Sequence, residues 1–473
     1  MILNKRTILW FFLCCCAANL SLAQPPESDT FILSYGEYIR IVIDHHPLSR
    51  NADLQLNKGE ANLLYARGAF DPKAFSRLQE KFFEEKQYYS KLHGGLKMPT
   101  WFGVELLGAY EQNEGTFLNP EENTPANGLL YAGIALNLGQ GLFIDKRRME
   151  LNKAKLYREI SKSERELLLN KLIFEAGNAY WQWFRAYYFL EIYRTAYQLA
   201  VERYEGVIEM ARAGERPAID TVEAAIQLQN RQYSLQEAEL RYKNAGALLS
   251  VYLWEDGMIP LELSETTIPA NEEIVKDEAI PAFVLAFDTM WAAHPELVKT
   301  ELKIDQVELE KRWRAELLKP VVRLKYNPIT EYVGPNSIRN FTFNDYTWGL
   351  ELSMPLFLRK ERGALQLYDV KLKQMQNSFR QTREMLKFKV SASVNRLFTL
   401  DEQILVYTDI VNNYYELLAG ENELFDNGES SLFMINSREM GYVNARVKLI
   451  ELIAKKKETE LKIKYHLGRA HEE

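Results

Sequence analysis

The sequence predicts a mostly α-helical chain with membrane-type β segments, built as two copies of one helix–strand–strand–helix unit. Three observations carry this prediction. Short motifs recur in the same order in both halves of the 473 residues. Two very long stretches lack proline and carry apolar seams spaced 3 and 4 residues apart, the period of packed helices. Shorter segments alternate apolar and polar side chains, the period of a strand with one face covered. Composition agrees: 47% hydrophobic residues rule out a disordered chain, and three cysteines rule out a disulfide scaffold. The formal charge of −7 argues against a phosphate-backbone binder, so no nucleic-acid partner is expected.

Residues 1–23 read as a secretory signal peptide. Lys5 and Arg6 precede an apolar run from Ile8 to Leu20, and Ser21-Leu22-Ala23 offers small residues at −3 and −1 of a cut before Gln24. The run is short for an uncleaved anchor. Cys14, Cys15 and Cys16 follow Leu13, and their bulky neighbours fit a lipidation box poorly. Cleavage would remove all three cysteines, so the exported chain folds without disulfides. Beyond the leader no apolar stretch of about 20 residues occurs, so no transmembrane helix is expected.

The duplication organises the rest. His46-Pro47 recurs as His294-Pro295 and Pro72 as Pro320, both at an offset of 248. Gly141-Leu142-Phe143 aligns with Pro355-Leu356-Phe357, and Ala213-Gly214-Glu215 with Asn427-Gly428-Glu429, both at 214. The first copy therefore holds 34 extra residues between Pro72 and Gly141. The expected boundaries are 24–254 for the first copy, 255–282 for a linker, 283–467 for the second copy and 468–473 for a tail.

Each copy should open with a helix that begins at proline and ends by Pro72 or Pro320. A long helix follows the strands, from about Asp145 to Ala213 and from Gly363 to Asn427, on the order of 100 Å each at 1.5 Å per residue. One seam reads Leu169, Leu172, Ala176, Ala179, Trp183, Ala186, Leu190, Tyr193, Tyr197, Ala200 and Tyr204. The return helix repeats the alternation through Leu228, Arg231, Leu235, Ala238, Tyr242, Ala245, Leu249 and Tyr252. Gly214 and Gly428 suit left-handed helix ends; Pro217 and Ser430-Ser431 suit the next helix starts. Each copy is thus an antiparallel helical hairpin with a sharp tip.

The strand regions alternate. Val322, Leu324 and Tyr326 oppose Arg323 and Lys325; Trp348, Leu350, Leu352 and Met354 oppose Thr347, Gly349, Glu351 and Ser353. These seven apolar residues are the expected lipid-facing set. In the first copy Leu130, Ala132, Ile134, Leu136 and Leu138 share a face, as do Phe102, Val104, Leu106 and Tyr110. A third stretch, 73–86, carries Glu80, Glu84 and Glu85. Its charge places it outside any barrel, which leaves two strands per copy.

The duplicated plan, the Leu142-Phe143 and Pro355-Leu356-Phe357 exits, and the tips Ala211-Arg212-Ala213-Gly214-Glu215 and Phe425-Asp426-Asn427-Gly428-Glu429-Ser430-Ser431-Leu432 together resemble the TolC family of outer-membrane efflux proteins. The resemblance covers about residues 34–467. It implies a homotrimer in which each chain gives four strands to a shared 12-stranded β-barrel and its helices to a long periplasmic tunnel. It also implies a periplasmic adaptor (membrane fusion) protein and an inner-membrane pump of RND or ABC type as partners, in the outer membrane of a Gram-negative bacterium. Closure supports a trimer independently: four strands cannot close, eight fill their own interior, and twelve leave a conduit. By resemblance the adaptor meets Ala213, Gly214, Glu215, Asn427, Gly428 and Glu429. Asp220, six residues after Gly214, sits where the family often has an acidic constriction; the second copy has Met434 there. A ring of Asp220 would favour cations, whereas a helix-start aspartate needs no function to be favourable. Asp220, Arg212 and Arg216 are the gate candidates, the two arginines either pairing with Glu215 or Glu429 across subunits or forming only exposed pairs worth under about 1 kcal/mol.

No catalytic signature accompanies this plan. The six histidines make no H-E-x-x-H spacing, and there is no G-x-S-x-G, Walker or Rossmann glycine set. The expectation is a passive duct with no cofactor and no enzyme activity. The rival reading is an exported coiled-coil structural or adaptor protein without channel activity, which explains the helices but not the paired amphipathic strands.

Overall fold

A computed structural model of the chain describes residues 31–264, 266–271 and 291–470. The expected leader 1–23, residues 272–282 of the expected linker and residues 471–473 of the tail lie outside the described residues. Among the described residues seven α-helices dominate: α1 Tyr35–His45, α2 Pro47–Arg67, α3 Lys146–Arg212, α4 Ala218–Ser250, α5 Pro295–Glu316, α6 Arg359–Asp426 and α7 Leu432–His466. α3 and α6 run 67 and 68 residues without a break. Pro47 and Pro295 each open a helix, and Pro72 and Pro320 each stand just before a strand.

The chain divides into two compact units. The first comprises the described residues of Met1–His46, Glu175–Ala279 and Thr399–Glu458. Its helices pack along the predicted seams. Ala176, Ala179, Trp183, Ala186, Leu190 and Ala200 of α3 are buried, as are Arg231, Ala238 and Leu249 of α4. Ile192 and Ala196 of α3 meet Val443 of α7, and nearer the tips Val207, Ala224, Leu432 and Ile435 form a further core. Tyr180 donates to the Leu33 carbonyl at 2.9 Å, and Trp181 stacks on Tyr35, so this aromatic run packs the interior. His46 stacks on Tyr252 with Trp254 at its edge. Phe31–Leu33 pairs in parallel with Thr267–Pro269, within the expected linker.

The second unit comprises Pro47–Phe174 and the described residues of Ile280–Phe398 and Thr459–Glu473. It holds a curled six-stranded antiparallel sheet: β1 Lys73–Phe83, β2 Lys86–Pro99, β3 Val104–Glu114, β4 Leu129–Asn137, β5 Val321–Glu331 and β6 Tyr346–Ser353, in the order β6-β5-β4-β3-β2-β1. This corrects the expectation on three counts. The stretch 73–86 is not outside the sheet but forms β1 and its turn. A strand not anticipated at all, β2, pairs β1 to β3. Each chain therefore contributes six strands to its sheet rather than four, and the added pair lies inside the 34-residue excess. The charge objection fails on position: Glu84 and Glu85 are the two turn residues, with φ of 51° and 58°, a type I′-like hairpin turn, and Glu80 lies near that same end. Phe102 falls in the β2–β3 turn and Met354 one residue beyond β6, so neither belongs to a strand.

Helices flank this sheet at its chain entries and exits. Leu63 and Ala66 of α2 pack on Ala154 of α3. The helices come close there: a side chain at Gly59 would lie 2.8 Å from Ser161 Oγ. Leu297 of α5, Leu386, Val390 and Leu397 of α6, and Ile463 of α7 with Leu467 form the main apolar cluster. His294 caps α5, its Nδ1 accepting the Glu296 N–H at 3.2 Å while Nε2 donates to the His466 carbonyl at 3.2 Å. That pattern uses a neutral ring. Burial holds the His294 pKa below its ordinary value. Burial, then Lys389, Lys462 and His294, push His466 down to about 4.

Both rings are neutral in the folded chain and charge in the unfolded one below pH about 6.5, so unfolding takes up protons as pH falls. Melting temperature should drop between pH about 6.5 and about 4 and change less above that window. His466→Gln should flatten part of the drop; a wild-type profile level across the window would contradict the assignment.

Candidate functional site

The two tips end in the same backbone motif. Gly214 has φ 81° and Gly428 φ 77°, both in the left-handed region that glycine tolerates. Glu215 N–H donates to Met210 O at 2.9 Å, and Glu429 N–H to Leu424 O at 2.8 Å, the six-residue closure of a Schellman turn. Ala213 and Asn427 N–H donate to Glu209 O and Glu423 O. The six predicted tip residues thus form two matched turns, between α3 and α4 and between α6 and α7.

Asp220 lies in the first turn of α4, and its carboxylate is 3.7 Å from Arg216. Arg216 also stacks on the Phe425 ring at 4.2 Å, which ties the two tips together. Arg212 pairs with Glu209 at 2.7 Å, in an exposed position. Within the chain, then, Arg212 pairs with Glu209 and Arg216 with Asp220.

Just inside the tips sits a buried charge cluster that sequence reasoning did not assemble. Glu439 of α7, 3% exposed, receives Arg203 of α3 and lies 3.6 Å from Arg231 of α4. Arg203 also donates to Asn436 Oδ1 at 3.3 Å. Three helices are thereby fixed around one carboxylate. The signal was present: Arg231 is the one charged residue in the α4 seam. A second carboxylate, Glu421 of α6, accepts from Ser430 and from Arg438 at 3.4 Å. Removing one partner of a buried pair strands the other charge.

The sheet is a separate candidate site. Trp348, Leu350 and Leu352 of β6 stand directly opposite Tyr326, Leu324 and Val322 of β5. The same face continues through Leu136, Ile134 and Leu130 of β4, Val104, Leu106 and Tyr110 of β3, and Met98, Leu96 and Leu92 of β2 to Leu78 and Ala74 of β1. Much of it is bare: Leu352 is 72% exposed and Trp348 64%. The opposite face is polar and self-paired. Glu105 of β3 is held by Lys97 of β2 at 3.1 Å, Arg147 of α3 at 3.1 Å and Arg323 of β5 at 2.6 Å. Such a sheet can separate hydrocarbon from water, and few soluble monomers leave an apolar patch so large uncovered. Among the described residues no helix is long and apolar enough to cross a membrane, and no group of three potential ligands could hold a metal.

Glu439→Ala should destabilise the tip region by about 3–5 kcal/mol, because Arg203 and Arg231 lose their shared carboxylate. Hydrogen exchange at amides of α3, α4 and α7 near the cluster reads this; exchange unchanged from wild type would refute it. The exposed pair Arg212–Glu209 serves as the control, with an expected loss under about 1 kcal/mol on Arg212→Ala.

No family model matches the chain, and no curated protein matches it by sequence. Solved structures do match. The Campylobacter jejuni CmeC outer membrane channel superposes with a TM-score of 0.64 at 13% identity, over 92% of this chain and 86% of that one. The Vibrio cholerae outer membrane protein VceC gives 0.64 at 13%, over 93% and 97%. The Neisseria gonorrhoeae MtrE outer membrane channel in its open state gives 0.66 at 13%, over 92% and 89%. At this level of identity the likeness is one of architecture, and the chain has the TolC-like fold of these outer-membrane channels.

Proposed function

We propose that the chain is the outer-membrane channel subunit of a tripartite efflux or type I secretion system in a Gram-negative bacterium. It acts as a homotrimer that forms a passive duct from periplasm to exterior. The observation that carries this reading is the six-stranded sheet, apolar and bare on one face, ion-paired around Glu105 on the other. A sheet in hydrocarbon must have its edges paired, so the chain needs further copies of itself. The α3–α4 and α6–α7 hairpins would extend into the periplasm, with the turns at Gly214 and Gly428 meeting an adaptor protein and an RND or ABC pump supplying the energy. The channel does no covalent chemistry and uses no cofactor.

In this reading the tips close the periplasmic end. Arg216 holds both Asp220 and the Phe425 ring, so it ties the first-copy tip to the second within one chain. Opening would separate these contacts. The rival reading of an exported coiled-coil spacer or adaptor has no use for the bare apolar sheet face.

Membrane fractionation tests the first part. The protein should leave the outer membrane only with detergent and run as a heat-sensitive trimer; a soluble monomer would end the proposal. Planar-bilayer conductance tests the second. Asp220→Ala should raise single-channel conductance by removing Arg216's partner at the closed tip, and conductance equal to wild type would remove Asp220 from the gate.

A further inference from the structure

We propose that β1 of each chain pairs with β6 of the next, so that three copies close one 18-stranded barrel rather than a 12-stranded one. This rests on the trimeric channel reading and specifies its membrane part.

The β1–β2 hairpin is built into the sheet. β2 pairs with β3 over ten successive positions, from Ser90↔Glu114 to Pro99↔Glu105. Gly95 lies so close to β3 that a side chain there would meet Gly108 O at 2.3 Å, so the two backbones are pressed together. Lys97 reaches across to Glu105, and His93 lies edge-on to Phe75 of β1 while hydrogen-bonding the Tyr131 hydroxyl of β4. A hairpin held at this many points moves with the sheet.

Its chemistry also continues the sheet. On the bare face β1 presents Ala74, Ser76 and Leu78, in register with Leu96, Gly94 and Leu92 of β2. Glu80 on that face lies near the Glu84-Glu85 turn, where a carboxylate in a barrel costs about 0–1 kcal/mol because it reaches the interface.

The two free edges complement each other. With six antiparallel strands, β1 leaves the helices and β6 returns to them, so β1 of one chain meets β6 of the next antiparallel, as every other pair in the sheet does. On the polar face β1 carries Lys73, Arg77 and Lys81, and β6 carries the single acid Glu351. Among the described residues Lys73, Arg77 and Glu351 form no ion pair. An edge that ended on β3 instead would require breaking the ten-position β2–β3 ladder. Barrel diameter grows roughly in proportion to strand number, so 18 strands give a ring about half again as wide as 12, in the range that leaves an aqueous channel.

Disulfide scanning decides between the rings, because the chain's three cysteines lie at 14–16 and the sheet has none. Cysteines at Ala74, Ser76 or Leu78 are combined with Leu350→Cys or Leu352→Cys in the full chain and oxidised in native outer membranes. The expected result is covalent dimer and trimer on denaturing gels from β1–β6 pairs. Val104→Cys or Leu106→Cys with Leu352→Cys should give none. Intermolecular bonds between β3 and β6, or none at all in a protein that still runs as a heat-sensitive trimer, would overturn the 18-stranded ring while leaving the channel reading intact. Absence of any trimer would overturn both. Images of the detergent-extracted wild-type trimer give an independent count: 18 strands support the proposal, 12 refute it.

Discussion

A sheet in hydrocarbon has no water to satisfy its backbone, and under the proposed function this constraint governs the six-stranded sheet. Every N–H and C=O must find a strand partner, and every side chain on the lipid side must tolerate hydrocarbon. The six strands meet the second demand on one face, from Trp348 on β6 across to Leu78 on β1. The other face is polar and pairs charge with charge around Glu105. The first demand is met internally between β6 and β1 and left open at two edges. The open edges would leave a single chain incomplete in a membrane.

The helical half answers a different problem. A long helix in water must bury a seam or expose it, and α3 buries Ala176, Ala179, Trp183 and Ala186 along the period the sequence shows. Alanine at many seam positions lets neighbouring helices come close. Charges then enter the seam only where they can be paired. Glu439 accepts both Arg203 and Arg231, and Arg216 joins Asp220 to Phe425 at the tips. A buried pair adds little net stability over an apolar one, but it makes misaligned packing expensive. Such pairs near the tips set which helices sit together.

Helices α2 to α7, the tips and the second-copy strands were legible because each rests on a local rule, whereas α1 was not anticipated although Ser34 and Glu37 form a capping box at its start. Proline opens α2 and α5, glycine closes α3 and α6, and period-2 alternation marks β5 and β6. The first-copy sheet was harder. Gly94 and Gly95 erase the alternation in the middle of β2, and they do so because the strand lies too close to β3 for a side chain at Gly95. Glu80, Glu84 and Glu85 make β1 read as too charged for a barrel, although the turn takes two of them to the sheet's rim. Depth along a strand, not charge count, decides whether a carboxylate is tolerable. The Glu439 cluster leaves little trace in the sequence because Glu439 lies more than 200 residues from both Arg203 and Arg231; only Arg231, a lone charge in an apolar seam, points to it.

The central claim is that one sheet face meets lipid and the other meets water. Spin labels at Leu350→Cys and Gly349→Cys, neighbours on β6 that point to opposite faces, test it most directly in reconstituted protein. The account predicts that the label at 350 collides with oxygen dissolved in the bilayer and is shielded from a water-soluble nickel chelate, with the reverse at 349. Equal access of both labels to the chelate would show a sheet lying in water, and the account would fail.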